Sequence, residues 1–271
     1  MKIVSSGRVI NSAGFYQKKK KRRRIKFALV LIGVLTIVFT LIYLSRLEKF
    51  LITAVMITGE NVADREEMTQ AVQSLIDNHY LWMIPRANAF IYPRRAIKQS
   101  LIEKFPRLRS VDLNLDKFQT LVINVEERMP FALYCIEDEC FFVDKGGFIF
   151  APAPSFSNGV YFVYSTEEPI GNPIGKQLIP AENFESLLGF IKILPTLNLQ
   201  PTAMKITADD YNLLLPNGGQ LIWRRGDDPV LLHSNLEAFL SDDSIKAQKD
   251  FLKKVLYLDL RTTNKVFYKF K

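Results

Sequence analysis

The longest apolar stretch, Phe27–Leu44, reads FALVLIGVLTIVFTLIYL, eighteen residues without a charge. As a helix at about 1.5 Å rise per residue it is about 27 Å long, close to the thickness of a bilayer's hydrocarbon core. It predicts a transmembrane helix over 27–45, and no other stretch approaches it. Beyond it the pattern becomes amphipathic. Leu51–Ile57 is an apolar run closed by Gly59-Glu60-Asn61, a strand and a turn. Asp64-x-x-Glu67 resembles a capping box, and Met68, Ala71, Val72, Leu75, Ile76 and His79 follow on one helical face. Pro93 can open a second helix, faced by Ile97, Leu101 and Phe105 and ended by Pro106. Val111, Leu113 and Leu115 alternate, as do Leu121, Ile123 and Val125. The turn Asp116–Thr120 makes these two strands a hairpin.

Further along, Phe131–Tyr134 and Phe141–Val143 are strands around the turn Ile136–Glu139. A hairpin there sets Cys135 opposite Cys140 at disulfide distance, leaving a bridge or two free thiols. A bridge over so short a loop stabilises only modestly. Gly146 and Gly147 offer positive φ for the next turn. Phe184, Leu187, Leu188, Ile191 and Leu194 have helical spacing, stopped by Pro195. Lys205–Thr207, Tyr211–Leu215 and Gln220–Arg224 are strands, the last two joined by Asn217-Gly218-Gly219. His233–Leu256 is helical with a break at Asp242-Asp243. Tyr257–Arg261 is a strand, Thr262–Asn264 a turn, and Lys265–Lys271 alternates charged and apolar residues. The fold class is α+β.

Composition changes one part of this picture. The 271 residues carry a net charge of +8, but ten of the 36 basic residues lie in Met1–Lys26, which has no acid. Without them 26 basic residues face 28 acidic ones, a net of −2. The basicity is a tail and not a nucleic-acid surface. Eight basic residues lie between Lys18 and Lys26, so the positive-inside rule puts the N-terminus in the cytoplasm and Ser45–Lys271 outside it. A cleaved signal peptide fits less well, because the apolar core is too long and no small-x-small site follows Leu44. KKKKRRR as a localisation or nucleic-acid patch is unnecessary once topology explains it.

Chemistry is sparse. The pairs Glu126-Glu127, Asp209-Asp210, Asp227-Asp228 and Asp242-Asp243 are sequence neighbours, which read as solvated or capping groups. No nucleophile elbow, zinc-protease, Walker A or dinucleotide fingerprint occurs. Two cysteines and two distant histidines, His79 and His233, give no metal-ligand set. We expect no catalysis and no cofactor.

Several short motifs resemble one family. The order β-α-α-β-β resembles a POTRA domain. "ITAVMITGEN", "FPRLRSVDLNL" and "LVINVEERMP", with Glu127-Arg128-x-Pro130, resemble that domain in the bacterial division proteins of the FtsQ/DivIB family. Val143-Asp144-x-x-Gly147 and Tyr257-x-Asp259-Leu260-Arg261 resemble motifs of its second, β domain. Each motif is weak alone, and the specific signal is their order over Lys18–Lys271. The resemblance implies a cytoplasmic tail 1–26, a transmembrane helix 27–45, a POTRA domain 50–127 and a mainly antiparallel β domain with flanking helices, 128–271. It implies a non-catalytic divisome scaffold in the plasma (inner) membrane, enriched at the septum. Its partners would be FtsB/DivIC-like and FtsL-like proteins and, through them, the septal peptidoglycan synthase. Partner binding would use β-strand addition on the last strand, with Val266, Phe267, Tyr268 and Phe270. A POTRA-type chaperone or translocation module is the alternative; such proteins usually carry several POTRA units or an outer-membrane barrel. Between the POTRA helices, Trp82, Met83, Ile84 and Pro85 read as packing against the sheet in preference to a partner-facing patch.

Overall fold

The computed structural model describes residues 12–155, 159–248, 250–263 and 265–271. Residues 1–11 of the basic tail, and Asn264 of the expected final turn, lie outside them. The fold is mixed α+β: a long apolar N-terminal helix precedes a large, mostly antiparallel sheet. Helix α1 spans Ser12–Ser45, and Gln17–Ser45 is long and apolar enough to cross a membrane, with its apolar window unburied.

The chain forms two compact units. The first comprises Met1–Thr58, Arg65–Lys98 and Asp112–Asn124; the second comprises Gly59–Asp64, Gln99–Val111 and Val125–Lys271. In the first, β1 (Ala54–Thr58) is followed by α2 (Arg65–Ile76), the two-residue strands β2 (His79–Tyr80) and β3 (Ile84–Pro85), and the start of α3 (Arg94–Lys104). Strands β4 (Leu108–Asp116) and β5 (Thr120–Glu127), of which Asp112–Asn124 belongs to this unit, give a sheet of order β1-β5-β4. β1 and β5 are parallel, with Val55 opposite Leu121 and Ile57 opposite Ile123. The alternation of β5 buries Leu121 and Ile123, and the helical spacing of α2 buries Met68 and Val72.

Helix α2 ends at Ile76, before His79. Asp77 and Asn78 are poor helix formers, and the Asn78 side chain donates to the Ser74 carbonyl, capping the last turn. His79 therefore sits on β2, opposite Pro85. The packing expected of the segment that follows fails at its tip, where Trp82 is 93% exposed and Met83 46%, whereas Ile84 and Pro85 are half-buried.

The second unit holds β6 (Ala132–Ile136), β7 (Glu139–Val143), β8 (Ile149–Pro152), β9 (Phe162–Thr166), α4 (Ala181–Ile193), β10 (Ala203–Ile206), β11 (Asp210–Leu214) and β12 (Gln220–Arg224). It continues with α5 (Pro229–Ser241), α6 (Asp243–Lys246), α7 (Phe251–Lys254), β13 (Val255–Thr262) and β14 (Lys265–Phe270). Its nine strands run β14-β13-β12-β11-β10-β9-β6-β7-β8. Short turns join antiparallel neighbours, whereas α4 and α5–α7 supply the crossovers that the parallel pairs β9–β10 and β12–β13 require. Buried aromatic rings tie helix to sheet: Phe184 lies 5.5 Å from Tyr164, and Phe190 lies 5.0 Å from Trp223.

The helix expected from His233 starts at Pro229, because Asp228 caps it by accepting from the Val230 N–H at 2.9 Å. It breaks where expected, at Asp242, whose carboxylate caps α6. Of the two glycines expected at positive φ, only Gly147 adopts it (φ 79°); Gly146 instead donates its N–H to Asp144. Strand β9, FVYST, was not among the expected elements, although its β-branched and aromatic composition is a strand signal.

Candidate functional site: an open sheet edge

Strand β14 ends the nine-stranded sheet, and no described strand pairs with its outer side. Its register against β13 is antiparallel, with Leu258 opposite Tyr268 and Asp259 opposite Phe267. Alternation divides its side chains. Val266 is half-buried against the core, and Tyr268 and Phe270 lie on the same face, their rings 5.5 Å apart. Tyr268 also sits 5.4 Å from Phe239 of α5 and 5.6 Å from Phe251 of α7. Phe267, on the opposite face, is 53% exposed. The four residues singled out in the sequence thus share one edge strand. Three of them form its helix-covered face, and Phe267 has no such cover.

The neighbouring strand is braced by charge. Asp259 and Arg261, two residues apart, point to one face of β13, where the Arg261 guanidinium bonds Asp259 at 2.6 Å and Asp210 at 3.0 Å. The Arg261 side chain beside it, against the opposing pull of burial and helped by the Arg261 N–H, holds the Asp259 carboxyl below its usual range. A depressed carboxyl adds stability above its unfolded pKa, near 3.9, and loses it as pH falls through the folded value. Stability should therefore drop in acid below about pH 4. Asp259→Asn should flatten part of that drop, read from thermal midpoints across a pH series; an identical slope in the variant would show that this pair does not contribute.

Two other motifs meet physically. The Glu127 carboxylate accepts from the N–H groups of Asn61, Val62 and Ala63 at 2.8–2.9 Å. Burial pushes this carboxyl up, but those three donors and Arg107 outweigh it, leaving the group below its ordinary value. Arg128 forms an ion pair with Asp144, donates to the Pro106 carbonyl at 3.1 Å and lies 4.0 Å over the Phe148 ring. Asp144 in turn accepts from the N–H groups of Gly146 and Phe148. Nothing in the spacing of Glu-Arg-x-Pro and Val-Asp-x-x-Gly announces that they pair.

Cys135 and Cys140 face each other across β6 and β7 and are joined, with Cα atoms 4.1 Å apart. Among the described residues no three His, Cys, Asp or Glu side chains gather as metal ligands would. An open groove of about 470 Å³ near Thr166 and Arg225 has no cysteine, serine or histidine in its lining. On its outer side β14 presents backbone N–H and C=O groups that no described strand takes up, with an aromatic face behind them. No family model matches the sequence, and no curated protein matches it.

Proposed function

We propose that the chain is a non-catalytic, single-span scaffold of the bacterial division machinery, of the FtsQ/DivIB kind. One observation carries the reading: the strand that follows Tyr-x-Asp-Leu-Arg is an open edge of the large sheet. A partner's extended segment can add to β14, taking affinity from main-chain hydrogen bonds and register from Phe267 and the aromatic face. The expected partners are FtsB/DivIC-like and FtsL-like proteins, which would connect the scaffold to septal peptidoglycan synthase. The order β1-α2-β2-β3-α3-β4-β5, with β1 parallel to β5, supports assigning residues 50–127 to a POTRA domain, and the nine-stranded sheet supports assigning 128–271 to the β domain. The basic block Lys18–Lys26, within α1 and ahead of its apolar stretch, supports a cytoplasmic N-terminus, with the sheets outside the plasma membrane.

The test is binding of the full-length, detergent-solubilised protein to the FtsB/DivIC-like protein of the same cell. In an antiparallel ladder, successive residues turn their N–H groups alternately inward and outward. One of Phe267→Pro and Tyr268→Pro therefore removes a donor from the open side, and the other removes one from the β13 side. We expect both to weaken binding about tenfold or more, since a tenfold loss needs only about 1.4 kcal/mol. Tyr268→Pro also removes the ring packed on Phe239 and Phe251 and should lower the thermal midpoint, so Tyr268→Ala, which loses the same ring and keeps the N–H, is its control and should bind more tightly than Tyr268→Pro. Wild-type affinity in both variants would exclude β14 as the site. Equally tight capture of unrelated unfolded chains would favour the chaperone reading.

A further inference from the structure

The hairpin between α2 and α3 ends in three apolar side chains that the protein does not cover: Leu81 is 82% exposed, Trp82 93% and Met83 46%. The backbone is left-handed at Leu81 and Trp82, with φ 47° and 63°. The Met83 N–H closes the turn on the Tyr80 carbonyl at 3.2 Å. Two consecutive left-handed residues define a turn that Asn-Gly adopts freely and that Leu-Trp adopts only against side-chain sterics. Strain kept at a solvent-facing tip, where the side chains serve no internal packing, points to a use outside the fold.

The surroundings of the hairpin indicate which surface it meets. Arg46, the first residue past α1, donates from Nε to the Met83 carbonyl at 2.9 Å. Asn88, which is buried, donates from Nδ2 to the Ser45 carbonyl at 2.9 Å. Strand β3 lies against α1, and Ile42 in its last turn is half-buried whereas Leu41, Tyr43 and Leu44 are exposed. The tip is thus fastened to the end of the apolar helix. Beyond the hydrocarbon core, each leaflet has an interfacial layer about 5–7 Å deep. Tryptophan is enriched in that layer because its ring is apolar while its N–H still finds polar partners.

We infer that Leu81, Trp82 and Met83 insert into the extracytoplasmic interfacial layer of the bilayer that α1 crosses, as a second foothold beside the helix. The occupant of this patch is lipid, at the boundary of headgroup and acyl chain. The inference rests on α1 spanning the membrane.

The experiment uses the full chain in phosphatidylcholine–phosphatidylglycerol vesicles containing lipid brominated high on the acyl chain. Trp82 and Trp223 are the two tryptophans, and Trp223 is buried in the sheet core. The difference between wild type and Trp82→Phe therefore isolates the emission of Trp82. Brominated lipid should remove more than about half of that emission, as for an indole at interfacial depth, while iodide on both sides of the membrane removes little. Leu81→Asn with Trp82→Gly, which suits the turn better than the native pair, should abolish the bromine-sensitive emission. Unchanged Trp223 emission in that variant would show that the fold persists. A Trp82 signal quenched by iodide and indifferent to bromine would overturn the inference, placing the tip in water. Release of the chain from vesicles at alkaline pH would overturn it too, and would identify the spanning of α1 as the failed premise.

Discussion

Replacing Arg128 by alanine should cost the protein about 3–5 kcal/mol, the loss expected when one member of a buried ion pair is removed. The Arg128 and Asp144 side chains are 16% and 11% exposed, so water cannot take over the solvation of a carboxylate left alone. Two N–H donors remain on Asp144, but Arg128 also satisfies the Pro106 carbonyl and covers the Phe148 ring. All of these are lost together. At about 2–4 °C per kcal/mol for a chain of this size, the thermal midpoint should fall by roughly 10 °C. The double variant Arg128→Met, Asp144→Asn should recover much of that loss, because neither residue then leaves an unpaired charge. Additive losses in the double-mutant cycle would show that the two side chains are energetically independent.

Gly59→Ala should be comparably damaging for a different reason. Gly59 has φ 90°, and a Cβ there would lie 2.2 Å from the Val125 carbonyl oxygen. The left-handed conformation costs a residue with a side chain about 1–2 kcal/mol. Moving the β5 backbone away from the added carbon costs about 1–3 kcal/mol more. Asparagine tolerates left-handed backbone, so Gly59→Asn would recover the first cost and keep the second. Full recovery by asparagine in thermal unfolding would show that conformation, not the close approach to Val125, requires the glycine.

Much of the architecture was legible because it depends on short-range pattern. An uncharged run of eighteen residues can be read directly, and so can the alternation in Leu121–Val125 or the 3.6-residue spacing around Met68 and Val72. The edge residues Val266, Phe267, Tyr268 and Phe270 were legible as one alternating strand, and the structure divides them between two faces as alternation requires. What the sequence hid depends on distance or on strain. Arg128 and Asp144 pair across sixteen positions without a marker in either motif. The placement of β9 between β6 and β10 follows from a crossover, not from local residues. The exposure of Trp82 was misjudged because Leu-Trp lacks the Asn or Gly that normally betrays a left-handed turn, and a bulky aromatic is more often packed than presented.

The bonds from Arg46 to Met83 and from Asn88 to Ser45 bear on orientation. A module on a loose tether tumbles about its anchor and must surrender that freedom when it engages another molecule. Here the rest of the first compact unit is joined to its helix by hydrogen bonds as well as through the chain, so its rotation is coupled to the tilt of the helix. With α1 in a bilayer, as proposed, its surfaces would meet anything else in that membrane already aligned, and part of the rotational entropy that association ordinarily consumes would have been removed at folding.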